Sequence, residues 1–173
     1  METKGLIIVN TGNGKGKTTA AFGQLYRAIG GGFKCAVVQF IKKSISSEVL
    51  LLQEKFPEVP VHITGLGFTW NSEDLSKDTQ SAQDGWELAK GYLSDSSVDL
   101  VVLDELTYPI SYKMLDEDDV VTALKNRPQH QHVVITGRDV STQIIALADT
   151  ITTMEPTKHH FEEGIMAQKG VEF

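Results

Sequence analysis

The chain has one cysteine, Cys35, and three arginines, Arg27, Arg127 and Arg138, among its 173 residues. A lone cysteine excludes an internal disulfide and a cysteine metal cluster, which fits a cytoplasmic setting. Three scattered arginines leave any phosphate chemistry to lysines, backbone amides and metal. The chain also lacks basic excess: its net charge of −7 argues against broad nucleic-acid binding, which needs a cationic surface to displace counterions. Its longest unbroken apolar run, Ile144 to Ala148, is far short of the roughly 20 residues of a membrane helix. No secretory pattern is legible where Met1-Glu2-Thr3-Lys4 runs into an apolar segment.

What is present suits one soluble α/β domain spanning residues 1–173. Hydrophobic residues make up 40% and charged residues 23%, so disorder is not the default. Four β-branched-rich runs, 6–9, 36–38, 100–103 and 133–135, read as strands covered on both faces. Weaker strand candidates are 61–64 and 150–152. Helical stripes fall between them. Ala21, Phe22, Leu25, Ala28 and Ile29 form one, stopped by Gly30-Gly31-Gly32. A second helix over 116–126 has Asp116 as N-cap, acids in its first turn, Val120, Val121 and Leu124 inward, and Pro128 beyond its end. Residues near 74–94 form a third, with Trp86, Leu88, Ala89 and Leu93 as the buried side, and Ile144, Ile145, Leu147 and Ala148 mark a fourth. The segment 42–70 is the least regular. Strand–helix alternation predicts a mostly parallel sheet with helices on both faces, with ligands at the carboxyl ends of the strands.

The first such end carries Gly12-Asn13-Gly14-Lys15-Gly16-Lys17-Thr18-Thr19. Its glycines let successive N–H groups turn toward an anion, and the following helix adds the positive end of its dipole. Lys17 can reach phosphate as a point charge, and the Thr18 hydroxyl can ligate Mg²⁺. Thr11 stands where the usual leading glycine would be, so the loop is a variant P-loop. Lys15 is either a further cation for phosphate or a solvated lysine. The second half of such a site, an acid at a strand end, is supplied by Leu103-Asp104-Glu105, whose carboxylates could hold Mg²⁺ directly or through water. The two halves together predict ATP binding.

Fold alone does not choose a reaction. Thr136-Gly137-Arg138-Asp139 is not a guanine reader, and no arginine-rich lid suggests a kinase. Five stretches in order then resemble the P-loop corrinoid adenosyltransferases: residues 12–23; Val37-Val38-Gln39-Phe40-Ile41-Lys42; Gly67-Phe68-Thr69-Trp70; residues 101–108; and residues 134–138. The tail from Lys158 through Gly170 also matches, so the resemblance runs from about Gly5 onward.

The resemblance implies a single-domain P-loop NTPase-like (RecA-type) fold that transfers the 5′-deoxyadenosyl group of ATP to the cobalt of cob(I)alamin, expelling triphosphate. Cobalt is the nucleophile, so Lys17, Thr18, the loop amides and Mg²⁺ need only align the reactants and stabilise the leaving charge. Asp104 or Glu105 belongs to the metal shell, Glu105 being favoured as the nearer contact. Residues 12–19 and Arg138 are expected to bind the nucleotide, although Arg138 could equally serve a partner subunit or a surface ion pair. Phe68 and Trp70 are expected to press on the lower corrin face and remove its ligand, easing reduction of cobalt(II). The alternative for this pair is a place in the core. A flavoprotein donor such as flavodoxin and a homodimer are also implied. Relatives often carry an extension before the first strand that covers the corrin, and that cover is expected to be absent here or to come from elsewhere. An arginine found near the aromatic pair in some relatives is also absent from Asn71 to Ser76, which weakens the expectation of docking to an acidic donor. His62, His130, His132, His159 and His160 are expected to be structural or surface residues. The competing class is a nucleotide-dependent regulator using the same loop as a switch.

Overall fold

The structure, a computed structural model, describes residues 4–41, 45–65 and 75–172. In chain order the elements are β1 (Ile7–Thr11), α1 (Lys17–Gly30), β2 (Cys35–Gln39), α2 (Ser47–Lys55), β3 (Val61–Ile63), α3 (Leu75–Ser94), β4 (Leu100–Asp104), α4 (Thr107–Ser111), α5 (Glu117–Asn126), β5 (His132–Thr136), α6 (Thr142–Leu147), β6 (Thr150–Thr153) and a 3₁₀ turn (His160–Glu163). The six strands form one sheet in the order β3-β2-β4-β5-β1-β6, parallel throughout. The expected α/β class is therefore observed.

Alternation along the strands divides the core. Ala36, Val38, Val101, Leu103, Val133 and Ile135 face a cluster completed by α3, α5 and Ile144. Cys35, Val37, Leu100, Val102 and Val134 face the opposite cluster, with Ala21, Phe22, Leu25 and Ala28 of α1 and Val49 and Leu52 of α2. Burial explains two local properties of the second layer. The Cys35 thiol is pushed up to about 12, first by burial and then by Asp99. Phe22, Tyr26 and Phe56 form a string of tilted rings that seats α2 on α1.

Helix ends follow their caps. The Asp116 carboxylate accepts from the Asp118 amide at 3.0 Å, as an N-cap should. Arg127 donates to the carbonyls of Leu124, Gln131 and Gly5, tying the end of α5 to the start of β1. Among the described residues, no helix is long and apolar enough to cross a membrane.

Three details differ from the sequence expectation, and one weaker candidate is confirmed. Leu88 is 42% exposed, and the inward positions of α3 are Ala82, Trp86, Ala89 and Leu93. Their spacing follows 3.6 residues per turn, which Leu88 does not share. Ile145 is likewise exposed on the short α6, leaving Ile144 as its buried anchor. The weaker strand candidate at 150–152 is present as β6, an edge strand whose four residues are all exposed. Lastly, the irregular segment contains α2, whose burial rests on Val49 and Leu52 alone. The neighbouring Leu50 and Leu51 are exposed and blur the period in the sequence.

Candidate active site

The phosphate loop leaves β1 and enters α1 through two constrained glycines. Gly12 has φ 95°, in the left-handed region, and a side chain there would run into the Met154 carbonyl oxygen. Met154, just past β6, is the loop's floor. Its amide donates to Thr11 O at 2.8 Å, and its carbonyl accepts from the Gly14 amide at 2.7 Å. Gly16 has φ 109° and precedes Lys17, the first residue of α1. Loop amides and the helix N-terminus together make an anion-favouring concavity.

Lys17 is buried, and its ammonium donates to Gly12 O at 2.7 Å and Gly14 O at 2.8 Å. Burial lowers its pKa, opposed by the nearby Glu105 and Asp104 carboxylates and assisted by the Arg138 guanidinium. The charge is thus held inside the loop by its carbonyls, within the field of the acids at the end of β4.

Those acids sit two strands away, because β5 lies between β1 and β4. Strand register brings the ends of three neighbours level: Gln39 of β2 faces Asp104 of β4, and Leu103 faces Ile135, one residue before Thr136 of β5. Asp104 is fully buried. Its Oδ1 accepts from Thr18 Oγ1 at 2.9 Å and Thr136 Oγ1 at 2.7 Å, and its Oδ2 accepts from Gln39 Nε2 at 2.8 Å. Glu105 begins the following turn with φ 63°, a strained value for a residue with a side chain. Its amide donates to Thr136 Oγ1 at 2.8 Å.

A cleft of about 750 Å³ opens over these elements. Its lining includes Lys15, Gly16, Lys17, Thr18, Thr19 and Glu105. Phe22 and Tyr26 of α1, Glu48 and Leu51 of α2, and Gly170 to Glu172 complete it. The tail is fastened by Lys15, which donates to Val171 O at 2.9 Å and lies 3.5 Å from the Glu172 carboxylate. His160 is 3.7 Å from the same carboxylate.

Of the residues singled out from sequence, Lys15, Gly16, Lys17, Thr18, Thr19 and Glu105 share the cleft. Asp104 lies behind Thr18. Gly12 and Gly14 rest on Met154, whereas Asn13 and Arg138 are exposed and outside the lining. Phe68 and Trp70 lie outside the described residues. No role was read from sequence for Gln39, Thr136, Met154 or the tail. Polar residues closing apolar strands were the available signal for Gln39 and Thr136. The tail shared in the family resemblance without a role attached to it, and Met154, distant in the chain, had no signal.

A metal such as Mg²⁺ takes hard oxygen donors and keeps several waters. Among the described residues no group of three or more His, Cys, Asp or Glu side chains could enclose an ion. Thr18 and Glu105, which line the same cleft, offer a hydroxyl and a carboxylate that fit an ion held by few protein ligands together with phosphate and water.

Comparison with known proteins identifies the family. A corrinoid adenosyltransferase of Escherichia coli is 47% identical over 99% of this chain and 87% of its own. That of Pseudomonas aeruginosa is 45% identical over 99% of this chain and 85% of its own. Among solved structures, the flagellar accessory protein FlaH of Methanocaldococcus jannaschii superposes with a TM-score of 0.55 at 13% identity, covering 87% of this chain and 71% of its own, which is a likeness of fold. The profile of the family described as ATP:corrinoid adenosyltransferase BtuR/CobO/CobP matches residues 3–173, and the chain belongs to that family.

Proposed function

We propose that Lys17, Thr18 and Glu105 form the reacting end of an ATP:corrinoid adenosyltransferase site, with the loop 12–19 holding the triphosphate. The observation that carries this reading is that two segments remote in sequence, the loop and the end of β4, deliver these three side chains to one cleft. The reaction is a substitution at carbon. The cobalt(I) electron pair attacks C5′, a Co–C bond forms, the C5′–O bond breaks, and triphosphate leaves with the bonding pair.

The chain's own part is to hold and orient. The loop amides and the Lys17 ammonium face the charge that grows on the leaving oxygen, where fixed donors act more strongly than water. Mg²⁺ bound by Thr18 and Glu105 would neutralise further phosphate charge. Asp104, engaged behind Thr18, acts through that hydroxyl rather than as the nearer ligand. Arg138 raises the local positive potential, as its effect on Lys17 indicates. The family resemblance supports Phe68 and Trp70 as the corrin contact that eases reduction. It also supports a flavoprotein donor, a homodimer and a cytoplasmic location.

The test mixes the protein with cobalamin, ATP and a strong reductant. The light-sensitive spectrum of an adenosylated corrinoid should appear together with stoichiometric triphosphate. ADP with a phosphorylated acceptor would reject the reaction. A second assay separates the aromatic pair: replacing Phe68 and Trp70 by alanine should spare transfer to chemically reduced cobalt(I) and abolish it from cobalt(II) with a flavoprotein donor. Parallel loss of both activities and of melting temperature would make the pair a piece of core.

A further inference from the structure

The row Gln39–Asp104–Thr136 crosses the carboxyl ends of three adjacent strands directly behind the proposed metal ligands. Gln39 is fully buried, and its carbonyl oxygen Oε1 has no hydrogen-bond partner among the described residues. A buried amide with an orphaned oxygen is a poor choice for packing, since an apolar side chain of equal length would avoid that cost. What the amide does supply is an N–H to Asp104 Oδ2.

Thr136 is placed with equal economy. Its single hydroxyl accepts the Glu105 amide and donates its one proton to Asp104 Oδ1. It therefore holds both acids at once: the carboxylate of one and the strained backbone of the other. The Thr18 hydroxyl also has one proton, donated to Asp104 Oδ1. What it offers in any other direction is lone pairs, which suit a cation and not a phosphate oxygen.

We infer that Gln39 and Thr136 are positioning residues for adenosyl transfer, locking Asp104 so that the Thr18 hydroxyl faces the cleft as a metal acceptor and Glu105 stays beside it. Neither touches the reacting atoms. Removing either lets the carboxylate turn and the Thr18 proton re-aim, so the loss falls on the metal-dependent part of nucleotide binding. This rests on the reading of Thr18 and Glu105 as metal ligands.

The experiment is calorimetric titration of the intact protein with ATP, once in excess Mg²⁺ and once in EDTA, alongside melting temperatures. Wild type should bind more tightly with Mg²⁺. Gln39→Met keeps the volume and removes the amide. It should lose about tenfold or more of the Mg²⁺-dependent affinity, the usual effect of deleting a partner behind a metal ligand. Its metal-free affinity should stay within about twofold of wild type, as expected when the phosphate contacts themselves are untouched. Thr136→Val should behave likewise, and Thr136→Ser, which keeps the hydroxyl, should recover the Mg²⁺ increment. Equal losses with and without Mg²⁺, or a retained increment in Gln39→Met and Thr136→Val, would overturn the inference while leaving the metal reading standing. Absence of any Mg²⁺ increment in wild type would overturn the metal reading and this inference with it.

Discussion

The two walls of the cleft are built differently. The inner wall, the loop and Glu105 with Asp104 behind them, stands on the ends of β1, β4 and β5. These strands are mostly buried, and the polar ends of β4 and β5 are hydrogen-bonded to each other and to Thr18 of α1. The outer wall is the exposed face of α2 and the tail at 170–172, fastened chiefly through Lys15. A group that must be held to fractions of an ångström gains from neighbours that cannot move, and strands covered on both faces supply them. A surface that must admit a large substrate gains from contacts that open cheaply, as a single partly exposed ion pair does. The division of labour implied is chemistry on the inner wall and access on the outer one.

The sharpest way to break this comparison is Lys17→Ala. A charge-assisted contact to phosphate is worth roughly 1.5–3 kcal/mol, so ATP affinity should fall about 10- to 150-fold by calorimetry, with a larger loss in turnover. Wild-type affinity in this variant would place the triphosphate elsewhere.

Next in size is a pair of glycine substitutions. Gly12 and Gly170 both have positive φ, but only Gly12 is crowded, whereas nothing lies near Gly170. Gly170→Ala should cost about 1 kcal/mol from conformation alone. Gly12→Ala adds a clash with Met154 and should cost about 3 kcal/mol or more. Thermal melts should separate the two, at about 2–4 °C per kcal/mol for a chain of this size. Equal shifts would mean that the two walls are equally rigid.

A smaller effect is expected from Glu172→Gln. The Lys15–Glu172 pair is only half-covered and 3.5 Å apart, and such a pair contributes about 1 kcal/mol. ATP affinity should therefore change less than about fivefold, while nucleotide association should quicken as the tail loosens. A loss matching that of Lys17→Ala would move the tail into the binding machinery.

The smallest effect is a control on the opposite layer, where Trp86 Nε1 and Lys90 hold Asp119. The Trp86 N–H, foremost, and the Lys90 ammonium keep its carboxyl below the usual carboxylate range. With a depressed folded pKa, its contribution is present above the unfolded value of about 4 and is lost as pH falls toward the folded value. Asp119→Asn should flatten the acid limb of a stability–pH curve below about pH 4 and leave nucleotide binding unchanged. A change at the cleft would show that the two layers are coupled.

Much of this molecule was legible from its residues because period and burial coincide there. The four apolar runs are strands, and the stripes on α1 and α5 face the core. Leu88, Ile145 and α2 were misread or missed for one reason. Short or surplus apolar residues satisfy a pattern without being buried, and only the neighbouring element decides which of them is covered. Within the site, Lys17, Thr18, Asp104 and Glu105 stood out by type and spacing.

By itself the sequence determined the α/β class, the glycine-rich turn into a helix, the acid pair and the family. These depend on local order: glycines for the turn, a helix start for the dipole, a strand end for the acids. Only the tertiary structure decided that β5 separates the loop strand from the acid strand. With that order, register sets Gln39, Asp104 and Thr136 in one row, and Met154 becomes the floor of a loop more than a hundred residues earlier. The physical reason is that strand order and register are settled by which apolar faces pack together over the whole chain, and no local pattern carries that information.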